Sequence, residues 1–254
     1  MKSGMASGLR PSDGVGIFVA ALALALAVLF ARPAGAFGRW LFGDGLNKPP
    51  PRVARYDVDL GGAFVLDSEA HQALVKFSDS PEVWVLWPFR GPRGDVIYKN
   101  DVGDPMLRAT KLGSMTVFTP RHPNGAAAAL DGATSPLRLP PLGPAALYDR
   151  LYQASVRTTR AAQHTIEFYA PDVDPGSDGL IADAALVVMQ AMIVAAERPH
   201  GHAILARVGT IAISAGQHPA VALRGRVVAI TVNPDMGFAG RPSSERILLA
   251  LGAR

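Results

Sequence analysis

The sequence predicts an α+β protein, in which an antiparallel β meander precedes a half that mixes helices and strands. From Tyr56 to Pro120 apolar and polar residues alternate, and turn-forming residues recur about every 8–12 positions. From Pro144 onward the apolar residues recur at helical spacing. We therefore expect a small barrel or half-sandwich, followed by two main helices and a short C-terminal helix.

The first 36 residues have the layout of a secretory signal peptide. Lys2 and Arg10 precede an apolar run at residues 15–31, and the small residues Ala34–Ala36 precede Phe37. Cleavage near Ala36 would make the protein periplasmic or secreted. Because the run is close to the roughly 17 residues that span a bilayer, an inner-membrane anchor at residues 15–31 is the alternative.

Composition excludes several function classes. The 254 residues include no cysteine, which excludes disulfides, cysteine-ligated metals and thiol catalysis. Removing the signal would lower the net charge from +4 to nearly neutral, so charge gives no support for nucleic-acid binding. The sequence also lacks the glycine-rich phosphate-binding motifs and the G-x-S-x-G motif of serine hydrolases, so no cofactor is predicted and the catalytic residues stay unknown.

Composition shifts divide the remainder of the chain into four segments. Residues 37–55 contain three consecutive prolines and predict an extended linker. Residues 56–120 form the β-rich part, 121–143 a Pro- and Gly-rich irregular crossing, and 144–254 the α+β part. Residues 56–254 form either one domain or two.

The predicted elements are short and are bounded by turn-forming residues. In the β-rich part the expected strands are 62–66, 73–77, 82–87, 95–99, 106–112 and 115–119. In the α+β part the expected helices are 144–163, 180–197 and 243–251, and the expected strands are 164–169, 203–214, 218–223 and 226–232.

An acidic stretch is the first candidate metal site. Asp172, Asp174 and Asp178, followed by Asp183, have the relative spacing of oxygen ligands in a calcium loop. The glycine expected at the sixth position is Ser177, however. A turn and helix cap explain the same residues without a metal.

Glu197, His200 and His202 are the second candidate metal site, because carboxylate and imidazole groups ligate zinc. The two histidines flank a glycine just after a predicted helix end, where imidazoles also occur as turn residues. No metal site is therefore assigned, and both sets stay as candidates.

A cationic stripe follows the first predicted helix. Arg150, Gln153, Arg157 and Arg160 share one helical face. Guanidinium groups in this pattern suit phosphate-bearing lipid headgroups or an acidic partner. The alternative is a solvated helix face.

The last predicted helix opens on a possible anion site at Arg241, Ser243, Ser244 and Arg246. Free backbone N–H groups at a helix start attract anions, and the two arginines add positive charge. A serine cap is the structural alternative.

Two groups of short sequence stretches resemble a known family. They are Ser80-Pro-Glu-Val-Trp84 with Arg93-Gly-Asp-Val-Ile, and His218-Pro-Ala-Val with Gly237-Phe-Ala-Gly-Arg-Pro. Together they resemble an uncharacterised family of exported proteobacterial proteins, known only as a domain of unknown function. The resemblance implies a bacterial envelope setting and no activity.

We therefore expect an exported, non-enzymatic binding or structural protein of the envelope. The alternatives are a periplasmic hydrolase or metal-dependent enzyme, and an envelope factor held at the membrane by residues 15–31 or by the apolar residues 40–42. Possible partners are an envelope protein or an anionic lipid.

Overall fold

The computed structural model describes residues 50–59, 61–171, 173–174 and 176–253. From Pro50 onward the chain forms one compact unit. The predicted signal, the candidate anchor and the apolar residues 40–42 lie outside the described residues.

Eight antiparallel strands form a closed barrel. Each strand pairs with the next in sequence, and β8 returns to pair with β1. The strands are β1 (Val53–Val58), β2 (Ala63–Asp67), β3 (Ala73–Phe77), β4 (Val83–Arg90), β5 (Val96–Lys99), β6 (Pro105–Ala109), β7 (Met115–Thr119) and β8 (His122–Ala133).

Side chains fill the interior of this barrel. Tyr56 stacks on Phe64 with ring centroids 5.1 Å apart, and Phe64 contacts Phe77 at 5.8 Å. Leu86 and Leu107 are completely buried in the same cluster. These residues point inward because successive side chains of a strand face opposite sides of the sheet.

A helix and sheet region follows the barrel. The sheet has the strand order β11-β12-β10-β9, with β9, β10 and β12 parallel and β11 antiparallel at one edge. Its elements are α1 (Pro144–Ala162), β9 (Glu167–Tyr169), α2 (Asp178–Glu197), α3 (Gly201–Leu205), β10 (Thr210–Ala215), β11 (Ala220–Arg224), β12 (Val227–Val232) and α4 (Ser244–Leu251). The predicted α+β class and the barrel are confirmed.

Helix α2 is the core of this second region. It packs against α1, α4 and the sheet, and it is buried on most sides. Within the described residues it is the one helix long and apolar enough to cross a membrane, and 67% of its most apolar window is buried inside the fold. Its apolar character therefore matches its place in the core.

The two strands that close the barrel, β1 and β8, differ from the sequence prediction. Residues 53–55 were expected in the linker and residues 122–133 in the irregular crossing. Pro123, Gly125 and a run of alanines give β8 a low intrinsic strand preference, and pairing with β1 and β7 overrides it. Gly125 has φ +89°, and a side chain there would meet Thr116 at 2.7 Å.

The stretch before β10 also differs from its prediction. Residues 203–209 were expected to belong to a strand, but α3 covers Gly201–Leu205 and β10 begins at Thr210. A short apolar run has no periodicity that separates a strand from a helix turn. The other predicted helices and strands match to within a few residues at their ends.

An extended segment at residues 134–143 joins the barrel to α1. The buried carboxylate of Asp67 accepts a hydrogen bond from the Leu137 N–H at 3.0 Å. On the adjoining barrel surface, Phe238 packs against Val83 and Val85. The barrel, this segment and the helices thus meet along one seam.

Candidate ligand-binding cavity

A cavity of about 330 Å³ opens at the seam between the barrel and the helices. Five parts of the chain line it: the barrel, the extended segment, α1, α2 and the turn that carries Phe238. Ligand sites in proteins favour such junctions, and they usually measure about 300–1,000 Å³. The lining residues are Lys76, Pro81, Val83, Arg138, Pro140, Leu142, Arg150, Gln153, Ala154, Arg157, Gly179, Ala182, Asp183, Leu186, Met189 and Phe238.

Part of the cavity wall is apolar. Leu142, Ala154, Leu186 and Met189 come from the segment and the two helices, and Phe238 faces them from the turn before α4. Ala154 belongs to the buried face of α1, and Met189 to the buried face of α2. These walls suit the apolar part of a ligand.

Four exposed cations line the same cavity: Lys76, Arg138, Arg150 and Arg157. Arg138 pairs with Glu69 at 3.1 Å and lies 3.9 Å from Asp67. Lys76, Arg150 and Arg157 form no ion pair with any residue that the structure describes. We call these four residues the cationic rim.

Most of the predicted stripe lines the cavity, and two of its residues, Arg150 and Arg157, belong to the cationic rim. Arg150, Gln153 and Arg157 line the cavity, since residues three and four apart share a helical face. Arg160 is exposed and does not line it. Lys76 and Arg138 were not predicted, because they reach the cavity from other elements.

Asp183 is the one acidic residue in the cavity lining. Its Oδ2 accepts a hydrogen bond from Nε of Arg241, whose side chain is only 1% exposed. The Arg241 Nη2 donates to the Val83 carbonyl at 2.8 Å, and Nη1 lies 3.5 Å from Oε1 of Glu82. This buried network fixes the carboxylate of Asp183 at the cavity wall.

Glu82 is completely enclosed next to this network. It accepts hydrogen bonds from the backbone N–H of Ser244 at 3.1 Å and from the hydroxyl of Ser244. Burial raises the pKa of Glu82 to about 7, although Arg241 and Ser244 oppose this shift. Glu82 therefore changes its charge near neutral pH.

Asp101 holds the start of α4 from a second barrel loop. It accepts from the backbone N–H of Ser243 at 3.2 Å and from the Ser243 hydroxyl, and it pairs with Nε of Arg246 at 2.9 Å. Carboxylates are favourable here because the first N–H groups of a helix have no partner within the helix.

The residues predicted as an anion site thus hold two carboxylates of the chain itself. Arg241 and Ser244 bind Glu82, and Ser243 and Arg246 bind Asp101. We call these six residues the α4 cluster. Any external anion at this place would have to displace Glu82 or Asp101. His218 is exposed and does not line the cavity.

The structure does not bring the candidate metal ligands together. Among the residues it describes, no group of three His, Asp or Glu side chains could hold a metal ion. Asp172 lies outside the described residues. The Asp174 carbonyl accepts from Ser177, and the buried Asp178 has one carboxylate oxygen without a partner. Glu197, His200 and His202 are all exposed beside the end of α2.

Comparison with known families gives one result. A family model described as a domain of unknown function, DUF4908, matches residues 38–251. The chain belongs to the DUF4908 family. Neither the curated proteins nor the solved structures contain a match to it. The predicted resemblance to a domain of unknown function is confirmed, and membership of the family assigns no activity to the cavity.

Sequence reasoning missed the partners that the barrel contributes. Glu82 and Asp101 lie in turns of the meander, where an acidic residue is unremarkable. Asp183 carries the clearer signal, since it is the one charged residue in the middle of an apolar helix. Such a residue requires a partner, because burying an unpaired charge is costly.

Proposed function

We propose that this protein is a binding protein for small amphiphilic anions, which it takes up in the cavity between the barrel and the helices. Lys76, Arg150 and Arg157 lack ion-pair partners among the described residues, and they line a cavity whose wall is partly apolar. Like charges placed together attract a counter-charge, and the apolar walls attract a hydrocarbon group. A ligand with both properties fits best.

The volume of the cavity limits the size of the ligand. About 330 Å³ is near the lower end of the range for ligand sites, so we expect one short hydrocarbon chain and one anionic head. Arg150 and Arg157 would bind a carboxylate or a phosphate head, since the planar guanidinium group donates two parallel hydrogen bonds to either.

Calorimetric titration at low, fixed ionic strength tests this proposal. Octanoate and octyl phosphate carry the head and the chain, octanol lacks the anion, and inorganic phosphate lacks the chain. We expect at least one of the first two to bind about tenfold more tightly than octanol and phosphate, because a hydrogen bond to a charged group contributes about 1.5–3 kcal/mol. Equal affinity for octanol and for both anionic amphiphiles would refute the proposal.

A matched pair of variants locates the binding. Replacing both Arg150 and Arg157 by Gln should weaken binding of the anionic amphiphile about tenfold or more. Arg160→Gln removes one positive charge from the same helix outside the cavity, and it should leave the affinity almost unchanged, whereas Arg157→Gln alone should weaken binding. If Arg160→Gln weakens binding as much as the double variant, the cationic rim is not the binding site.

We also propose that the protein is exported, as the first 36 residues predict. The family model supports this division, since the matched region begins at residue 38, next to the predicted cleavage site. N-terminal sequencing of protein from the periplasm or medium should find Phe37 as the first residue. An intact N-terminus in the membrane fraction would instead indicate the anchor at residues 15–31.

A further inference from the structure

Asp183 gives the cavity a polar feature that a simple hydrocarbon chain does not use. It lies on the face of α2 that lines the cavity, next to Ala182 and one turn before Leu186. Its side chain is 12% exposed, in contrast to the exposed side chains of the cationic rim. An acceptor group is therefore present within the apolar part of the cavity.

Hydrogen bonding to the buried Arg241 fixes the orientation of this carboxylate. Oδ2 is taken by Arg241, which is itself held by the Val83 carbonyl and by Glu82. Oδ1 accepts no hydrogen bond from the described part of the chain. Oδ1 is also not one of the fully buried side-chain atoms without a partner, and Asp183 is one of the residues that line the cavity.

The surroundings of Asp183 select the type of donor. A cationic donor such as an ammonium group would have to pass the cationic rim, and Asp183 is already paired with the buried cation of Arg241. A hydroxyl group meets no such repulsion. It would also satisfy Oδ1, which a hydrocarbon chain would leave without a partner.

We propose that Asp183 is a specificity-determining residue and that the ligand is a hydroxylated amphiphilic anion, whose hydroxyl group donates a hydrogen bond to Oδ1. This inference rests on the proposed function, because the anionic head must first bind at the cationic rim. It adds the chemical class of the ligand. A site that binds a hydroxyl group discriminates strongly against the analogue without one.

The test compares three kinds of ligand of similar size on the unmodified protein. It uses octanoate or octyl phosphate, whichever binds, together with its positional hydroxyl derivatives and their methyl ethers. We expect one hydroxyl isomer to bind about tenfold more tightly than both the parent and its own methyl ether, because the ether has lost the donor. If the parent binds and no hydroxyl isomer exceeds it, this inference is wrong while the proposed function stands.

Variants of α2 assign the preference to Asp183. Asp183→Ala should lose the tenfold preference for the hydroxyl isomer, measured within the variant as the ratio of the affinities for the hydroxyl isomer and the parent amphiphile. Gln190→Ala is the matched control, since Gln190 is another polar residue of α2 and does not line the cavity. A preference that survives in Asp183→Ala would overturn the assignment. Circular dichroism checks that the variant folds, and the ligand series on the unmodified protein decides the question if it does not.

Discussion

The α4 cluster and the cationic rim use the same side-chain chemistry in opposite surroundings. Arg241 and Arg246 each meet a carboxylate from the barrel, and Arg241 is fully buried. Arg150 and Arg157 are exposed and have no carboxylate partner among the described residues. The first pair joins two regions of the fold, whereas the second pair leaves its charge available to a ligand.

This difference predicts two separate kinds of effect. Removing a charge from the α4 cluster should change the free energy of unfolding, because a buried partner loses its counter-charge. Removing the charge of Arg150 or Arg157 from the cationic rim should change ligand affinity and leave stability nearly constant.

Arg241→Met should have the largest effect. It leaves Asp183 without its counter-charge and removes the donor to the Val83 carbonyl, so we expect a loss of about 3–5 kcal/mol in the free energy of unfolding. Urea denaturation measures this loss, and Arg157→Met is the exposed control. A loss as small as that of the control would contradict the structural role of the α4 cluster.

The second largest effect should be the pH dependence that Glu82 gives to the free energy of unfolding. Burial raises the pKa of Glu82 from 4.5 to about 7 in the folded protein, so the folded state binds this proton more tightly than the unfolded state. The stabilising contribution is therefore fully present below about pH 4.5 and is lost as the pH rises to about 7. Across this pH range the free energy of unfolding should fall by about 3 kcal/mol through Glu82.

Unfolding free energies measured at several pH values test this prediction. Glu82→Gln should remove this part of the pH dependence, because glutamine does not titrate. Glu69→Gln, at an exposed carboxylate that pairs with Arg138, should retain it. An unchanged pH profile in Glu82→Gln would show that Glu82 does not titrate in this range.

Asp101→Ala should lower the free energy of unfolding by less than these two changes, by about 1–2 kcal/mol. Asp101 caps the start of α4 and pairs with Arg246, but its side chain is 16% exposed and Arg246 is 42% exposed. Thermal unfolding at matched pH measures the change, with the exposed Asp149→Ala on α1 as the control. A larger loss than that of Arg241→Met would reverse the expected order.

The double replacement of Arg150 and Arg157 by Gln should have the smallest effect on stability, within about 0.5 kcal/mol. The same variant is expected to weaken ligand binding about tenfold, so affinity should change while stability does not. A clear loss of stability in the urea denaturation of this variant would show that the cationic rim also supports the fold.

Local patterns were sufficient to predict α1, α2, α4 and most strands, although not the short helix α3. The stripe on α1 was also predictable, because helical spacing alone places Arg150, Gln153 and Arg157 on one face. The same spacing could not separate Arg160 from the others, since the end of the cavity depends on which elements pack beside α1.

The contacts that the sequence could not predict are those between distant residues. Ser243 and Asp101 are 142 positions apart, and Ser244 and Glu82 are 162 positions apart. No periodic pattern links such residues. The strand β8 was not predictable for a similar reason. Pairing with the distant β1 holds its alanines and glycines in the sheet, and their own strand preference is low.

The closure of the barrel has a consequence for the order of folding. Ala54 at the start of β1 lies opposite Ala133 at the end of β8, so the ring forms only after the whole meander is available. Neighbouring strands can pair early, while one edge of β1 stays open and able to bind another chain. A chain that is released or translocated from its N-terminus would carry this open edge until residue 133 follows, and its tendency to aggregate should be highest during that interval.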